Sequence, residues 1–512
     1  MMGGNGDYSM CTIPNTCTIL AYKPFEHIKK FSVHLPSPMA MKEKIYTLII
    51  ALICQVSIFI SQNNSLNLQQ CIDIALQNSL NLKISDVNLK TAKNNALQSQ
   101  AQTLPSLNAG ANHIYQYGRT IDRYTNSFAN TQVLSQNFYL TAQWTIWAGL
   151  SQYHTIQANK MNYLSAQENL AQQKNDLILN VATAYINVIL SQDVLKINQS
   201  QYEITKQQFE RTKILVDQGS ATLSNLKDIE AQLANDELNV INSKNNLELN
   251  LLALKQILNL PPQQNIEIVR PDISINTDIL NQYTADDIYN IALKTQPSVK
   301  SREYQLKANE YILKANRGRR SPTLNISASL ATGYSGLAQR IIGYQTQIDT
   351  FATIPGYGPL VFSQQVPILE KTPFIQQYKD NFNQTLGFNL TIPLFNGLST
   401  HTSIQNAKLN VLTAKYNFDL NNQNLYKTIV QAYANAKAAL QKYEASLKSY
   451  DAAKLSFEMN ENKYQQGALS YFDYTTARNR KVNAELNLIQ AKYDLFFKLK
   501  ILEFYAGKPL NF

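Results

Sequence analysis

Few side chains in this sequence are of the kinds that make and break bonds, and their spacing argues against such chemistry. His113, His154 and His401 stand far apart, and none has a Cys, Asp or Glu at a metal-ligand distance along the chain. There is no His-Glu-x-x-His run, no phosphate-cradling glycine loop and no Ser/His/Asp arrangement. The residues therefore propose no catalytic centre, no metal and no cofactor. The chemistry that remains is charge and turn chemistry. Asp473 follows Ser470 by three, the spacing of a capping box, and Gly219 and Gly467 each end a long stretch free of Gly. Asp473 is read as a helix cap, a charge at a narrow place, or both.

The elements that hold these residues are duplicated. Ala184-Tyr185, Lys206, Phe209, Gln218-Gly219 and Glu237-Leu238-Asn239 recur as Ala432-Tyr433, Lys454, Phe457, Gln466-Gly467 and Glu485-Leu486-Asn487, all at a spacing of 248. Ile74-Ala75-Leu76 and Pro105-Ser106-Leu107-Asn108 recur as Ile291-Ala292-Leu293 and Pro322-Thr323-Leu324-Asn325 at 217. The chain is two copies of one unit, and the second carries 31 additional residues between its blocks.

Composition narrows the class. Of 512 residues only 16% are charged, with 17 Gly and 16 Pro, so the polarity comes largely from Asn, Gln and Ser. The formal charge of +10 is spread along the chain without the clustered basic and aromatic residues of a nucleic-acid surface, so nucleic acid is excluded as a partner. Met41-Lys42-Glu43-Lys44 followed by an apolar run over 45–60 reads as a secretory leader, cleaved near Ser61. Cys54 invites a lipid anchor, but Ile53 is too large for the position before a lipidated cysteine. Residues 1–40 are read as an over-long start or a disordered extension.

Within each unit the apolar period switches. Residues 66–104 read as helix; then Leu107, Ala109 and Ala111 alternate with polar neighbours, as do Leu140, Ala142, Trp144 and Ile146. Leu324, Ile326, Ala328 and Leu330, and then Leu386, Phe388, Leu390 and Ile392, repeat the pattern. About ten residues with one apolar face suit a transmembrane β-strand. From 151 to 218 there is neither Gly nor Pro, enough for about 100 Å of helix. Apolar residues fall every seven at Val181, Val188, Leu195, Tyr202, Phe209 and Val216, a coiled-coil seam. Tyr464 ends the matching stripe of the second unit, as core packing or as part of a gate.

These readings divide the chain into an extension (1–40), a leader (41–61), a first unit (62–260), a linker (261–284) and a second unit (285–512). The first unit comprises helices at 66–104, a β-hairpin at 105–148 and a long helical hairpin at 149–260. The second comprises helices at 285–321, a β-hairpin at 322–394 and a long helical hairpin at 395–508. Four strands per chain cannot close a barrel in lipid, so copies must associate; the eight strands of a dimer leave room only for side chains, and the twelve of a trimer leave room for a conduit. The competing expectation is an exported coiled-coil rod without a channel.

The duplicated strand–strand–long-helix order, the opening Leu68-Gln69-Gln70-Cys71-Ile72-Asp73-Ile74-Ala75-Leu76, the helix-to-strand prolines and the glycine tips together resemble the TolC family of outer-membrane efflux and secretion proteins. The resemblance implies a mixed α and β membrane protein, a homotrimer with a twelve-stranded barrel in outer-membrane lipid continued by a periplasmic α-helical barrel. It implies no enzyme activity, and as partners a periplasmic adaptor (membrane fusion protein) and an inner-membrane transporter of RND or ABC type. By the same resemblance adaptors dock at the tips around Gly219 and Gly467. Six residues beyond each glycine members often place entrance aspartates, here Asp473 but Asn225 in the first unit. An arginine frequent two residues after the second glycine is Leu469 here, so the family's charged latch is incomplete, with Asp228 as a substitute carboxylate. The expectation is an entrance held by packing around Tyr464 and Tyr471. The 31-residue insertion is expected as a long extracellular loop turning at Pro355-Gly356-Tyr357-Gly358-Pro359.

Overall fold

Each unit opens on a reciprocal side-chain cap. The computed structural model describes residues 65–508 apart from 131 and 272–274; the expected leader, its cleavage near Ser61 and Cys54 lie outside the described residues. Asn67 Oδ1 accepts from the Gln70 amide at 2.8 Å while the Asn67 amide donates to Gln70 Oε1 at 2.9 Å, starting α1 (Leu68–Asn78). Thr284 and Asp287 cap α6 (Ala285–Thr295) in the same way. The helical reading of 66–104 needs correction. Ser79 interrupts it and caps α2 (Leu80–Ala101), accepting from the Leu82 amide at 3.4 Å. The corresponding break in the second unit is Gln296, and Pro297 starts α7 (Pro297–Gly318) at a position where its missing N–H costs nothing. Nor is the linker bare. Its β6 (Glu267–Ile268) pairs in parallel with β1 (Ser65–Leu66), and α5 (Asp278–Gln282) follows.

Four long strands form one antiparallel sheet: β2 (Ser106–Gln116), β5 (Val133–Ala148), β7 (Thr323–Ser335) and β10 (Asn383–Thr391), in the order β10-β7-β5-β2. The two units meet at the β5–β7 pairing. Register stacks like with like. Leu107, Ala142, Ala328 and Leu386 form one row, and Trp144, Ile326 and Phe388 another, on an apolar face. Asn108, Thr141, Ser329 and Thr385 form a row on the opposite, polar face. Leu107, Leu386 and Phe388 are about two-thirds exposed, which places an open apolar wall on one side of the sheet.

Between β2 and β5 lies a small hairpin of β3 (Thr120–Asp122) and β4 (Ser127–Ala129). The insertion of the second unit turns within the expected 355–359, and on either side of the turn it is paired. It is a two-stranded ribbon, β8 (Gln339–Ile354) and β9 (Gly358–Lys371), turning at 355–357, followed by the short helix α8 (Phe374–Asp380). Alternating residues such as Tyr344, Thr346 and Ile348 suit a ribbon as well as they suit a loop's sequence.

The long helices follow the strands. α3 (Ser151–Asp217) and α9 (Ser399–Gln465) each run 67 residues, and α4 (Leu223–Ile257) and α10 (Tyr471–Tyr505) return for 35. Beside the sheet the helices pack in the order α2–α3–α7–α9, the same order as the strands to which they connect. By composition α3 contains a stretch apolar enough to cross a membrane. Its Val181, Tyr185, Val188 and Ile189 instead fill a core with Cys71, Ala75 and Leu254. A second core gathers Ile288, Ala292, Ile429, Ala436 and Leu495. The units build these alike: the Tyr185 hydroxyl donates to the Val269 carbonyl, with the Leu66 carbonyl further off at 3.3 Å, and that of Tyr433 donates to the Leu280 carbonyl at 3.2 Å. Burial pushes the Tyr185 phenol well above its ordinary value.

Candidate functional site: the hairpin tips

Each long helix ends in a left-handed glycine. Gly219 has φ +71° and Gly467 φ +72°, a region costly for any residue with a Cβ. The Ser220 amide reaches the Leu215 carbonyl at 2.8 Å and the Ala468 amide that of Lys463 at 2.9 Å, closing both helix ends. Thr222 and Ser470 then start the return helices, accepting from the amides of Asn225 at 3.3 Å and Asp473 at 3.1 Å. The Ser470 hydroxyl also donates to Asp473 Oδ2 at 2.7 Å, so Asp473 is engaged in the cap while remaining exposed. Gly219, Gly467, Asn225 and Asp228 are exposed as well, and Leu469 and Tyr464 are half-buried.

Above the second tip three tyrosines gather. Tyr464 stacks on Tyr474 with ring centroids 4.6 Å apart, and Tyr471 lies 6.2 Å from Tyr464. The Tyr471 hydroxyl is buried without a hydrogen-bond partner. Its phenol is pushed up to about 12, chiefly by burial, with the nearby Arg478 pulling the other way. Burial raises Tyr474 too.

The most constrained cluster at this end is one the sequence reading missed. Arg478 of α10 is only 2% exposed and inserts between α3 and α4 of the first unit. Its Nη1 donates to Thr205 Oγ1 at 3.0 Å, and Nη2 lies 3.7 Å from Asp236 Oδ2. With the Gln201 amide oxygen turned toward the guanidinium, Gln201 accepts from Nε at 2.8 Å. The Thr205 hydroxyl donates to Asp236 Oδ2, and Gln232 donates to Asp236 Oδ1 at 2.8 Å. A buried guanidinium and carboxylate thus have their polar atoms met, the condition under which a buried ion pair is tolerated. The cluster ties the second unit's hairpin to the first.

The seven-residue seam holds at Val181 and Val188, which are fully buried, and changes character lower down the helix. Tyr202, Phe209 and Val216 are half-buried, while Gln201, Thr205 and Thr212 are the buried residues of lower α3, with Thr205 bonded to Asp236 of α4. A search for apolar residues passes over a polar seam. Among the described residues no three His, Cys, Asp or Glu side chains are grouped to hold a metal ion. His113 bonds to Gln136 at 2.8 Å on the apolar face of the sheet, near its far end; His154 stacks beside Tyr311, at 6.2 Å.

The duplication seen in the fold is matched by a family model described as "Outer membrane efflux protein", which aligns to residues 71–260 and again to 288–508. The chain belongs to the outer membrane efflux protein family. It is similar to outer membrane protein TolC of Escherichia coli, at 24% identity over 446 residues, 85% of this chain and 81% of the relative. It is also similar to the alkaline protease secretion protein AprF of Pseudomonas aeruginosa, at 20% identity, over 67% of this chain and 64% of the relative. Among solved structures it resembles the Campylobacter jejuni CmeC outer membrane channel, with a TM-score of 0.66 at 18% identity, over 86% of this chain and 85% of that one. VceC of Vibrio cholerae gives 0.66 at 15% identity, over 87% and 97%. The fold is therefore that of a channel in which a β-barrel continues into a long α-helical tunnel. As a member of this family the chain is an outer-membrane protein of a Gram-negative cell, with a large periplasmic portion, and its family is one of channels and not of enzymes. The hairpin tips are the end of the long helices remote from the sheet.

Proposed function

We propose that this chain forms the exit duct of a tripartite efflux or type I secretion system. It works as a homotrimer that passively conducts solutes delivered by an inner-membrane transporter through a periplasmic adaptor. The observation that carries this reading is the agreement between two sets of open edges. The sheet ends on β2 and β10, whose outer backbone groups need partners in lipid. The helix wall ends on α2 and α9, which connect directly to those strands. Leu80, Ile84 and Val87 on α2, and Leu409, Tyr416 and Leu420 on α9, are large, apolar and more than half exposed. One continuous seam from strand to helix therefore calls for a second copy along its whole length. Three copies supply twelve strands, wide enough for a lumen.

At the periplasmic end the tips around Gly219 and Gly467 are the adaptor-docking surface. The entrance is held by the Arg478–Asp236–Thr205 brace and the tyrosine cluster, in place of an arginine at Leu469. Asp473 lines the mouth as well as capping α10, and Asn225 and Asp228 are its first-unit neighbours. Mass measurement in mild detergent is expected to give three chains, and the purified protein to form single channels in planar bilayers. A folded, pore-forming monomer would refute the edge argument.

A further inference from the structure

At the end remote from the helices, the two faces of the sheet are covered by different pieces of chain. The β3–β4 hairpin lies over the polar face. The Asp122 carboxylate accepts from the Ser335 hydroxyl and from the amides of Tyr124 at 2.8 Å and Thr125 at 3.2 Å. The Tyr124 hydroxyl donates to Asn137 Oδ1 at 3.3 Å. It also occupies the place a Cβ at residue 333 would take, so Gly333 is the residue that lets it in. Asn137 pairs with Gly333 and Ser135 with Ser335, in phase with Thr141 and Ser329 of the polar row. Asp122 is 1% exposed and Ser335 fully buried, so this is a seated element. Close by, the Tyr139 ring takes the place that a Cβ at Gly110 would occupy on the same face.

The opposite face is covered at this height by α8. The Tyr378 hydroxyl donates to Gln136 Oε1 at 3.1 Å, and the Tyr378 ring lies 5.3 Å from that of Phe138. Gln136 and Phe138 are in phase with the apolar row. The chain thus sends α8 to the lipid side and the β3–β4 hairpin to the inside.

We infer that residues 119–129 form a fixed inward collar at the outer mouth, and that Arg119 and Arg123 on it give the channel a preference for anionic solutes there. The inference rests on the channel reading above. Arg119 sits over the Phe128 ring, 5.3 Å from its centroid, and both arginines are exposed. The collar's one carboxylate, Asp122, is turned into the sheet and taken up by its hydrogen bonds, so the accessible charge is guanidinium. On the neighbouring ribbon Arg340 is matched by Glu370 at 3.0 Å and adds no net charge. Every copy around the axis contributes the same two guanidinium groups to one narrow mouth, where low-dielectric walls focus their field. Such exposed charges are screened over about 10 Å at 0.1 M salt, so the preference strengthens as salt is lowered.

The test is reversal potential under a KCl gradient in planar bilayers, with wild type and the double variant Arg119→Gln, Arg123→Gln. The wild type should favour chloride more than the variant does by about twofold or more at low salt, with the difference shrinking as salt rises. Equal permeability ratios in the two proteins would overturn the charge assignment. The collar itself is tested with Tyr124→Ala, which removes a ring from the polar face. Unitary conductance should rise, and an unchanged conductance would place the hairpin outside the lumen. A wild type that forms no pores at all would instead defeat the channel reading on which this inference stands.

Discussion

In the first hairpin the buried residues toward the tip are largely polar: Gln201, Thr205 and Thr212 on α3, and Asp236 and Ser243 beside Ile229 on α4. At the corresponding places in the second hairpin stand Ser449, Ala453, Asn460, Ala484 and Ala491, and closure near the tip comes from Phe457, Tyr464 and Tyr474. The exchange is complementary. Arg478, which enters the first hairpin, corresponds to the exposed Glu230 of the first unit, and its partner Asp236 corresponds to the buried Ala484. A duplicated unit with identical hairpins would have no reason to prefer one neighbour over another. Divergence at four or so buried positions turns one hairpin into a socket and the other into the group that fills it.

The largest expected effect comes from emptying that socket. Arg478→Met leaves Asp236 buried without a cation and should cost about 3–5 kcal/mol in denaturant unfolding of the detergent-solubilised protein. Because the lost contact joins the two hairpins near the tip, mean single-channel conductance should also rise. Glu230→Met, the same change at the equivalent exposed place, should stay within about 0.5 kcal/mol of wild type. Comparable losses in the two variants would erase the distinction between the hairpins. Adding Asp236→Leu and Thr205→Val to the first variant should recover much of the stability, since an apolar replacement of a buried ion pair is often neutral or better.

The sequence made one side of this comparison legible and hid the other. Two periodicities, of two and of seven, place the strands and the long helices, and the fixed spacing of 248 aligns Gly219 with Gly467 and Thr222 with Ser470. Those features depend on local chemistry that each residue carries by itself. Arg478 does not: an arginine followed by Asn479, Arg480 and Lys481 looks like part of a solvated face, and its partners lie more than 240 residues away. Two signals were nonetheless present. Ile229, Asp236 and Ser243 recur every seven residues on one buried line, and Glu230 against Arg478 is a charge reversal between copies. The ribbon β8–β9 was hidden for another reason. Its alternation was in view, but an isolated two-stranded ribbon is marginal in water, and that argues for a loop until its register is seen.

A middle-sized effect separates the caps at the tips. Ser470→Ala and Thr222→Ala each remove one side-chain cap and should cost about 1 kcal/mol. Asp473→Asn keeps the side chain's capacity to accept while removing its charge, so stability should hardly change. If Asp473 also faces the entrance, the variant should lower the preference for cations measured with salt asymmetry from the periplasmic side. An unchanged preference would leave Asp473 as a cap and nothing more, making the two tips equivalent in function despite Asn225.

The smallest effect concerns the tyrosine cluster, and its sign is the informative part. The Tyr471 hydroxyl is buried with no partner, so the folded state gives up its hydration for nothing. Tyr471→Phe keeps the ring beside Tyr464 and Tyr474 and should be neutral or stabilising by up to about 1 kcal/mol. A pH series sharpens this. Burial raises the Tyr471 phenol from 10.0 to about 12, so above pH 10 the unfolded chain loses a proton that the folded chain keeps. Stability contributed by the protonated phenol is intact below pH 10 and declines as pH rises through 12. The Phe variant should lose less over that interval, and Leu223→Phe, at the matching place on the exposed first tip, should leave the profile as it was. A destabilised Tyr471→Phe protein would mean that the hydroxyl finds a partner in the assembled channel. The second tip would then be closed by a polar contact between neighbouring chains, as the first hairpin is by Arg478 within one chain, and the contrast between the two would be one of location and not of chemistry.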